Sequence, residues 1–154
     1  LGKAWNNLTL SLRIESEDVV AFLYRAEELA GKSGFKTPQK LTIAQCIHAV
    51  GGGVLAWLTL PKLWRNGAIQ YTGGELCLTD DGRRLAQSLV RSHRLWEAFL
   101  IEHFQLPLDH VHAPAERVEH FIGPQLQEIL ATDLRAPNVD PHGREIPPAR
   151  DAKR

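Results

Sequence analysis

The chain has 154 residues, 44% hydrophobic and 23% charged, with 18 basic side chains against 18 acidic ones. That is enough chain for one full core or two small subdomains, and the composition is that of a soluble globular protein, not of a polyelectrolyte or a disulfide scaffold. No apolar run reaches the roughly 18 to 20 residues of a spanning helix. The two cysteines, Cys46 and Cys77, lack paired zinc spacing and fit structural positions in a reducing compartment. Without a methionine or a signal-peptide pattern, the chain reads as a fragment of something longer.

In chain order, residues 1–16 pattern weakly and read as a leader or linker. Glu15-Ser16-Glu17-Asp18 resembles a capped, acidic helix start, and Val19, Val20, Phe22, Leu23, Ala26 and Leu29 follow in helical spacing, which predicts a helix from about Glu17 to Gly31. Lys32 to Lys40, with Pro38, reads as a loop. A short helix over Leu41–Ile47, a turn at Gly51-Gly52-Gly53 and a helix over Val54–Asn66 give a helix-turn-helix outline. Ala68–Tyr71 and Glu75–Leu78, separated by Thr72-Gly73-Gly74, predict a hairpin wing. Thr79-Asp80-Asp81-Gly82 then caps a long amphipathic helix carrying Leu85, Leu89, Val90, His93, Leu95, Trp96, Phe99 and Leu100. Pro107 and Asp109 end it, Pro114 opens another helix, and Gly123-Pro124 precedes a last helix of about Gln125 to Leu134. The tail from Ala136 has four prolines and is irregular. The division expected is a leader over 1–16, a winged-helix-like domain over 17–82, an all-helical domain over 83–147 and a flexible tail over 148–154.

Between His93 and His120 stand five histidines and five acidic residues. His93 and Glu97 are at i, i+4 of the long helix, and Glu116, Glu119 and His120 are at i, i+3 and i+4 of the next, so each set shares a helix face. Two carboxylates on one face repel unless a cation or solvent lies between them, and imidazoles beside them make a metal-ligand layout. His103 and His110 read as surface or loop histidines. His48 and His142 carry no separate argument. Trp57, Trp64, Trp96, Phe99 and Phe104 read as core or dimer-interface aromatics.

A winged helix followed by His93-Arg-Leu-Trp-Glu97, by Val111-His112-Ala-Pro-Ala-Glu116-Arg-Val-Glu119-His120 and by Asp140-Pro-His-Gly-Arg-Glu-Ile146-Pro resembles the iron-dependent repressors of the diphtheria toxin repressor and manganese transport regulator family. The match runs from about Asp18 to Pro147 and is most specific in its second half. It implies a mainly α fold, a winged helix-turn-helix domain followed by an all-helical metal-binding and dimerisation domain. It also implies a homodimer loaded by Mn²⁺ or Fe²⁺, with Zn²⁺ as a further candidate. On that resemblance His93, Glu97 and His112 form an ancillary site, and Asp18, Glu116, Glu119 and His120 form the primary one. Glu116 stands where iron sensors have cysteine, as in manganese sensors, whose further acidic ligand one turn after Asp18 is replaced here by Ala21.

The same motifs are similar to the repressor-like cytoplasmic domains fused behind the membrane part of metal ABC transporter permeases. On that reading, loading restrains transport, and the partner is the membrane domain or its ATPase. The alternative is a metal-dependent transcriptional repressor. Against it, the candidate recognition helix begins Gly53-Val-Leu-Ala-Trp57-Leu-Thr-Leu60-Pro61, with Thr59 the one polar side chain before Lys62, and Pro61 is expected to bend or interrupt it. Residues 1–90 carry ten basic and eight acidic side chains, little to offer a phosphate backbone. No nucleophile elbow, phosphate-binding glycine loop or HExxH motif is present, so no enzyme is expected. The expected location is the cytoplasm, at the inner face of the membrane if fused.

Overall fold

The computed structural model describes residues 2–32 and 41–149. The chain divides into two compact units, Leu1–Ala86 and Gln87–Arg154. As expected, it is mainly helical, a winged helix-turn-helix followed by an all-helical unit.

The first unit opens with α1 (Gly2–Lys32), which starts far upstream of the sequence expectation at Glu17. No glycine or proline interrupts residues 3–30, so nothing stops the helix there. Glu15-Ser16-Glu17-Asp18 lies inside it: the Ser16 hydroxyl donates back to the Leu12 carbonyl, and Arg13 pairs with Glu17 at 3.5 Å. Burial begins only in the second half, where Val19, Val20, Ala21 and Leu23 leave the solvent while Trp5 stays 68% exposed. Of the expected Lys32–Lys40 loop, Lys32 is the last residue of α1 and residues 33–40 lie outside the described residues.

In α2 (Ile43–Ala49), Thr42 Oγ1 accepts the Gln45 N–H at 3.3 Å and Gln45 Oε1 accepts the Thr42 N–H at 2.9 Å, a reciprocal capping box. After the glycine turn comes α3 (Val54–Arg65), which runs through Pro61 without the interruption expected of it. Pro61 is on the exposed side, where water can serve the Trp57 carbonyl that a residue-61 N–H would have bonded. Both helices and the wing pack on α1. The wing is β1 (Ile69–Thr72) against β2 (Glu75–Leu78), antiparallel, with Ile69 opposite Leu78. Gly73 and Gly74, at φ +63° and +88°, supply the two left-handed positions of its tight turn.

Thr79 caps α4 (Asp80–Phe104) by accepting the Gly82 N–H at 3.1 Å. The last residues of the first unit and the ligand-bearing stretch of the second are thus one continuous helix. In the second unit, a 3₁₀ turn at Leu108–His110 leads to α5 (His112–Val118), a further 3₁₀ turn at Glu119–Phe121, and α6 (Pro124–Asp133). Leu95, Ile122, Leu130, Ala131 and Ile146 form its core, edged by Trp96 and Phe99, whose rings stack at 5.2 Å. Those two aromatics meet the core expectation. Trp57, Trp64 and Phe104 are 52%, 57% and 62% exposed, so they are not core residues of this chain, and the dimer-interface alternative is left for them.

Cys46 is buried and Cys77 half-buried, both free thiols, and burial pushes Cys46 up to about 11. Neither is a ready thiolate.

Gly82 has a packing reason to be glycine. A Cβ there would fall 1.8 Å from the Ala68 carbonyl oxygen, a backbone atom that cannot swing aside. Gly82→Ala is therefore expected to destabilise the chain by about 3 kcal/mol, as overpacking against a fixed backbone does. A thermal or urea melt unchanged in that variant would show that the wing and α4 do not approach this closely.

Candidate metal centre

From Arg91 to Glu97 the α4 sequence is nearly all polar, yet Ser92, His93, Arg94 and Glu97 are each no more than 3% exposed. Buried polar groups need partners, and most of these have them. Ser92 donates to the Ile122 carbonyl at 3.0 Å and accepts from Gln127 Nε2 at 2.8 Å. Arg91 donates to the Pro147 carbonyl at 2.8 Å. Arg94 donates to the Glu145 carbonyl and pairs with the buried Asp140 at 3.6 Å.

His93 and Glu97, one turn apart, converge with His112 from the first turn of α5. His93 Nε2 is 3.1 Å from Glu97 Oε1 and 2.9 Å from His112 Nδ1, which is itself 3.0 Å from Glu97 Oε1. The three ligand atoms lie within 4.8 Å of one another, so one ion can meet all of them. A fourth group approaches that sequence reasoning missed: His142 Nε2 is 3.7 Å from the same Glu97 oxygen. Its loop is tied down, since Asp140 Oδ1 accepts the backbone N–H groups of His142 and Arg144 at 2.9 and 2.8 Å. The Val139–Glu145 bridge closes the loop. The signal available in sequence was Asp140-Pro-His-Gly, whose short acidic side chain can bond the backbone two residues on.

The other predicted ligands divide. Glu119, 2% exposed, bonds His93 Nδ1, and its second oxygen is 3.9 Å from His120 Nε2. Glu116 does not join them: α5 gives way to a 3₁₀ turn at Glu119, and Glu116 instead stands on the exposed side, 3.2 Å from His112 Nε2. The single helix face expected for Glu116, Glu119 and His120 is broken there, because a change of pitch rotates the later side chains. Asp18 lies half-buried on α1 in the first unit. His103, as expected, is a surface histidine, 2.5 Å from Asp133, and His110 is exposed.

The electrostatics of this cluster are those of a carboxylate shared among imidazoles. For Glu97, burial raises the pKa, but the hydrogen bond and charge of His93, then His112 and His142, outweigh it and bring the carboxyl down to about 2. For His93, burial works against protonation, and its bonds to Glu119 and Glu97 prevail, so its pKa is raised. The remaining Glu97 oxygen, Oε2, is buried with no hydrogen-bond partner. A buried carboxylate oxygen without a partner costs several kcal/mol in an apolar medium, and a bound cation is one group that would relieve it. The donor set of two or three imidazoles and a carboxylate, without thiolate, suits a borderline or hard divalent ion.

Residues 79–148 match the family model described as iron dependent repressor, metal binding and dimerisation domain. The chain is 39% identical over 85 residues to a probable metal transport system membrane protein of Chlamydia trachomatis, a match covering 55% of this chain and 19% of that protein. It is 35% identical over 112 residues to the iron-dependent repressor IdeR of Mycobacterium bovis, covering 72% of this chain and 48% of the repressor. A solved manganese-dependent transcriptional repressor in complex with manganese superposes with a TM-score of 0.73 at 30% identity, over 87% of this chain and 59% of that one. The chain therefore spans about half the length of the curated repressor it matches. No helix among the described residues is long and apolar enough to cross a membrane.

The two pKa shifts give the metal-free protein a stability optimum. Glu97, depressed from 4.5, contributes stability that is present above that value and is lost as pH falls toward 2. His93, raised from 6.5, contributes stability that is full below that value and is lost as pH rises through its higher folded value. With a chelator present, the melting temperature is expected to be highest between pH 4.5 and 6.5 and to fall on both sides. A midpoint that climbs steadily to pH 8 would rule out the charged His93–Glu97 arrangement.

Proposed function

We propose that this chain senses a divalent metal ion through His93, Glu97 and His112, with His142 at the edge of the set; the match of residues 79–148 to the metal-binding and dimerisation domain of the iron-dependent repressors supports this. The family is one of regulators, not enzymes. The observation that carries the reading is the convergence of three ligand atoms on a buried carboxylate whose second oxygen lacks a partner. Mn²⁺ or Fe²⁺ fits the mixed oxygen and imidazole donors, and Zn²⁺ fits the imidazoles. Such an ion supplies fixed positive charge. The protein's own part is to hold Glu97 ionised, to orient His93 through Glu119, and to tie His112 and His142 to α4.

On the family motif alone, Glu119 and His120 are proposed as a second set; the motif also names Asp18 and Glu116, of which Glu116 stands apart on the exposed side of α5. A homodimer follows from the family's dimerisation domain. The finer reading is a regulatory domain attached to a metal transport membrane protein, on which ion loading feeds back on transport by linkage. Its support is the match to the chlamydial transport protein and the apolar exposed face of α3, which offers no base-reading side chains in its first two turns. The winged helix and the likeness to IdeR favour a second reading, a repressor that binds duplex DNA when loaded.

Calorimetric titration with Mn²⁺ and Zn²⁺ tests the sensor. His93→Ala is expected to remove the first set and weaken binding there by about 100-fold or more, since a ligand is lost and not merely a supporting contact. Glu119→Ala with His120→Ala is expected to abolish the second set while the fold survives. Wild-type affinity in both variants would refute the assignments. Affinity is also expected to fall as pH drops through the raised pKa of His93, because protons compete for its imidazole. A metal-stimulated, salt-sensitive gel shift with promoter DNA would favour the repressor reading over the transporter one.

A further inference from the structure

The surface least explained by metal sensing is the outer face of α3. Ala56, Thr59 and Leu63 turn inward, at 0%, 0% and 3% exposure, and the buried Thr59 hydroxyl is satisfied within the helix by donating to the Ala56 carbonyl at 2.6 Å. That leaves Val54, Trp57, Leu58 and Trp64 outward, at 77%, 52%, 56% and 57% exposure, with the exposed Pro61 between them. These positions follow helical spacing along one stripe and contain no hydrogen-bonding side chain apart from the two indole N–H groups. A continuous apolar stripe of this kind marks a contact surface.

Charge narrows what it contacts. From Leu29 to Gly74 the sequence holds Lys32, Lys36, Lys40, Lys62 and Arg65 and not one Asp or Glu. Lys62 and Arg65 fall in the last turn of α3 itself, next to Trp64. An apolar stripe with two tryptophans one heptad apart, ending in the cations Lys62 and Arg65, is the composition of a helix lying in a lipid interface. There indoles sit at headgroup depth, aliphatic side chains reach the acyl boundary, and cations meet anionic phosphates. A DNA groove would reward the cations but leave Val54, Trp57 and Leu58 without base edges to bond.

We propose that the α3 face docks on an anionic phospholipid surface, with Trp57 and Trp64 as anchors and Lys62 and Arg65 as headgroup contacts. The proposal stands apart from the metal reading: it needs neither ligand set.

The test is co-sedimentation of the whole chain with vesicles of equal parts phosphatidylglycerol and phosphatidylcholine, and with phosphatidylcholine alone. Binding is expected to the anionic vesicles, weaker to the neutral ones, and reduced by salt. Trp57→Ser with Trp64→Ser is expected to weaken binding by about tenfold or more, as loss of two buried anchors would, with Mn²⁺ titration unchanged. Should that variant fail to fold, a Trp5→Phe chain with α3 intact is read with brominated lipids, which are expected to quench its tryptophan emission. Three results would overturn the proposal: equal vesicle binding by the double variant, no quenching, or untouched vesicles while the same tryptophans mediate self-association or duplex binding.

Discussion

The second unit is organised around one buried carboxylate. Glu97 brings a negative charge into a place where charge is expensive, and three imidazoles from different parts of the chain gather at one of its oxygens. Its other oxygen has no partner. Around it further polar groups fix position: Glu119 bonds His93, and Arg94 pairs with Asp140 in the loop of His142. A set of buried polar residues this dense would be a poor way to stabilise a small core, since apolar side chains of similar volume serve that purpose as well or better. It is a reasonable way to build a place for a cation.

Much of this was legible in the sequence where local spacing decides geometry. His93 and Glu97 share a face because i and i+4 do so on any helix, and the hairpin was marked by its paired glycines. What failed did so for physical reasons. The acidic cluster at Glu15–Asp18 resembles a helix start, but a start needs something to end the preceding turn, and residues 3–30 contain no breaker. Glu116 shares nominal helical spacing with Glu119 and His120, but the pitch changes at Glu119, and no propensity scale reports a switch from α to 3₁₀ after Val118. His142 was missed because its approach to Glu97 depends on a loop fold far along the chain. The same long-range dependence hid the clash that keeps position 82 a glycine.

The two units also differ in how they use aromatic residues. Trp96 and Phe99 stack into the helical core of the second unit, whereas Trp57 and Trp64 in the first are turned to solvent by the three small or buried positions opposite them. An apolar stripe stands where a winged helix ordinarily presents its reading side chains, while the helices and hairpin around it keep the winged arrangement.

The loop that carries Asp140 and His142 has a consequence in time. During synthesis His93, Glu97 and His112 emerge early, while the segment that supplies Arg94 with its counter-ion arrives dozens of residues later, so the early side chains must wait for contacts of high sequence separation. A nascent chain released before Asn138 would carry His93 and Glu97 on α4 and His112 on α5 without the Asp140 loop to support them.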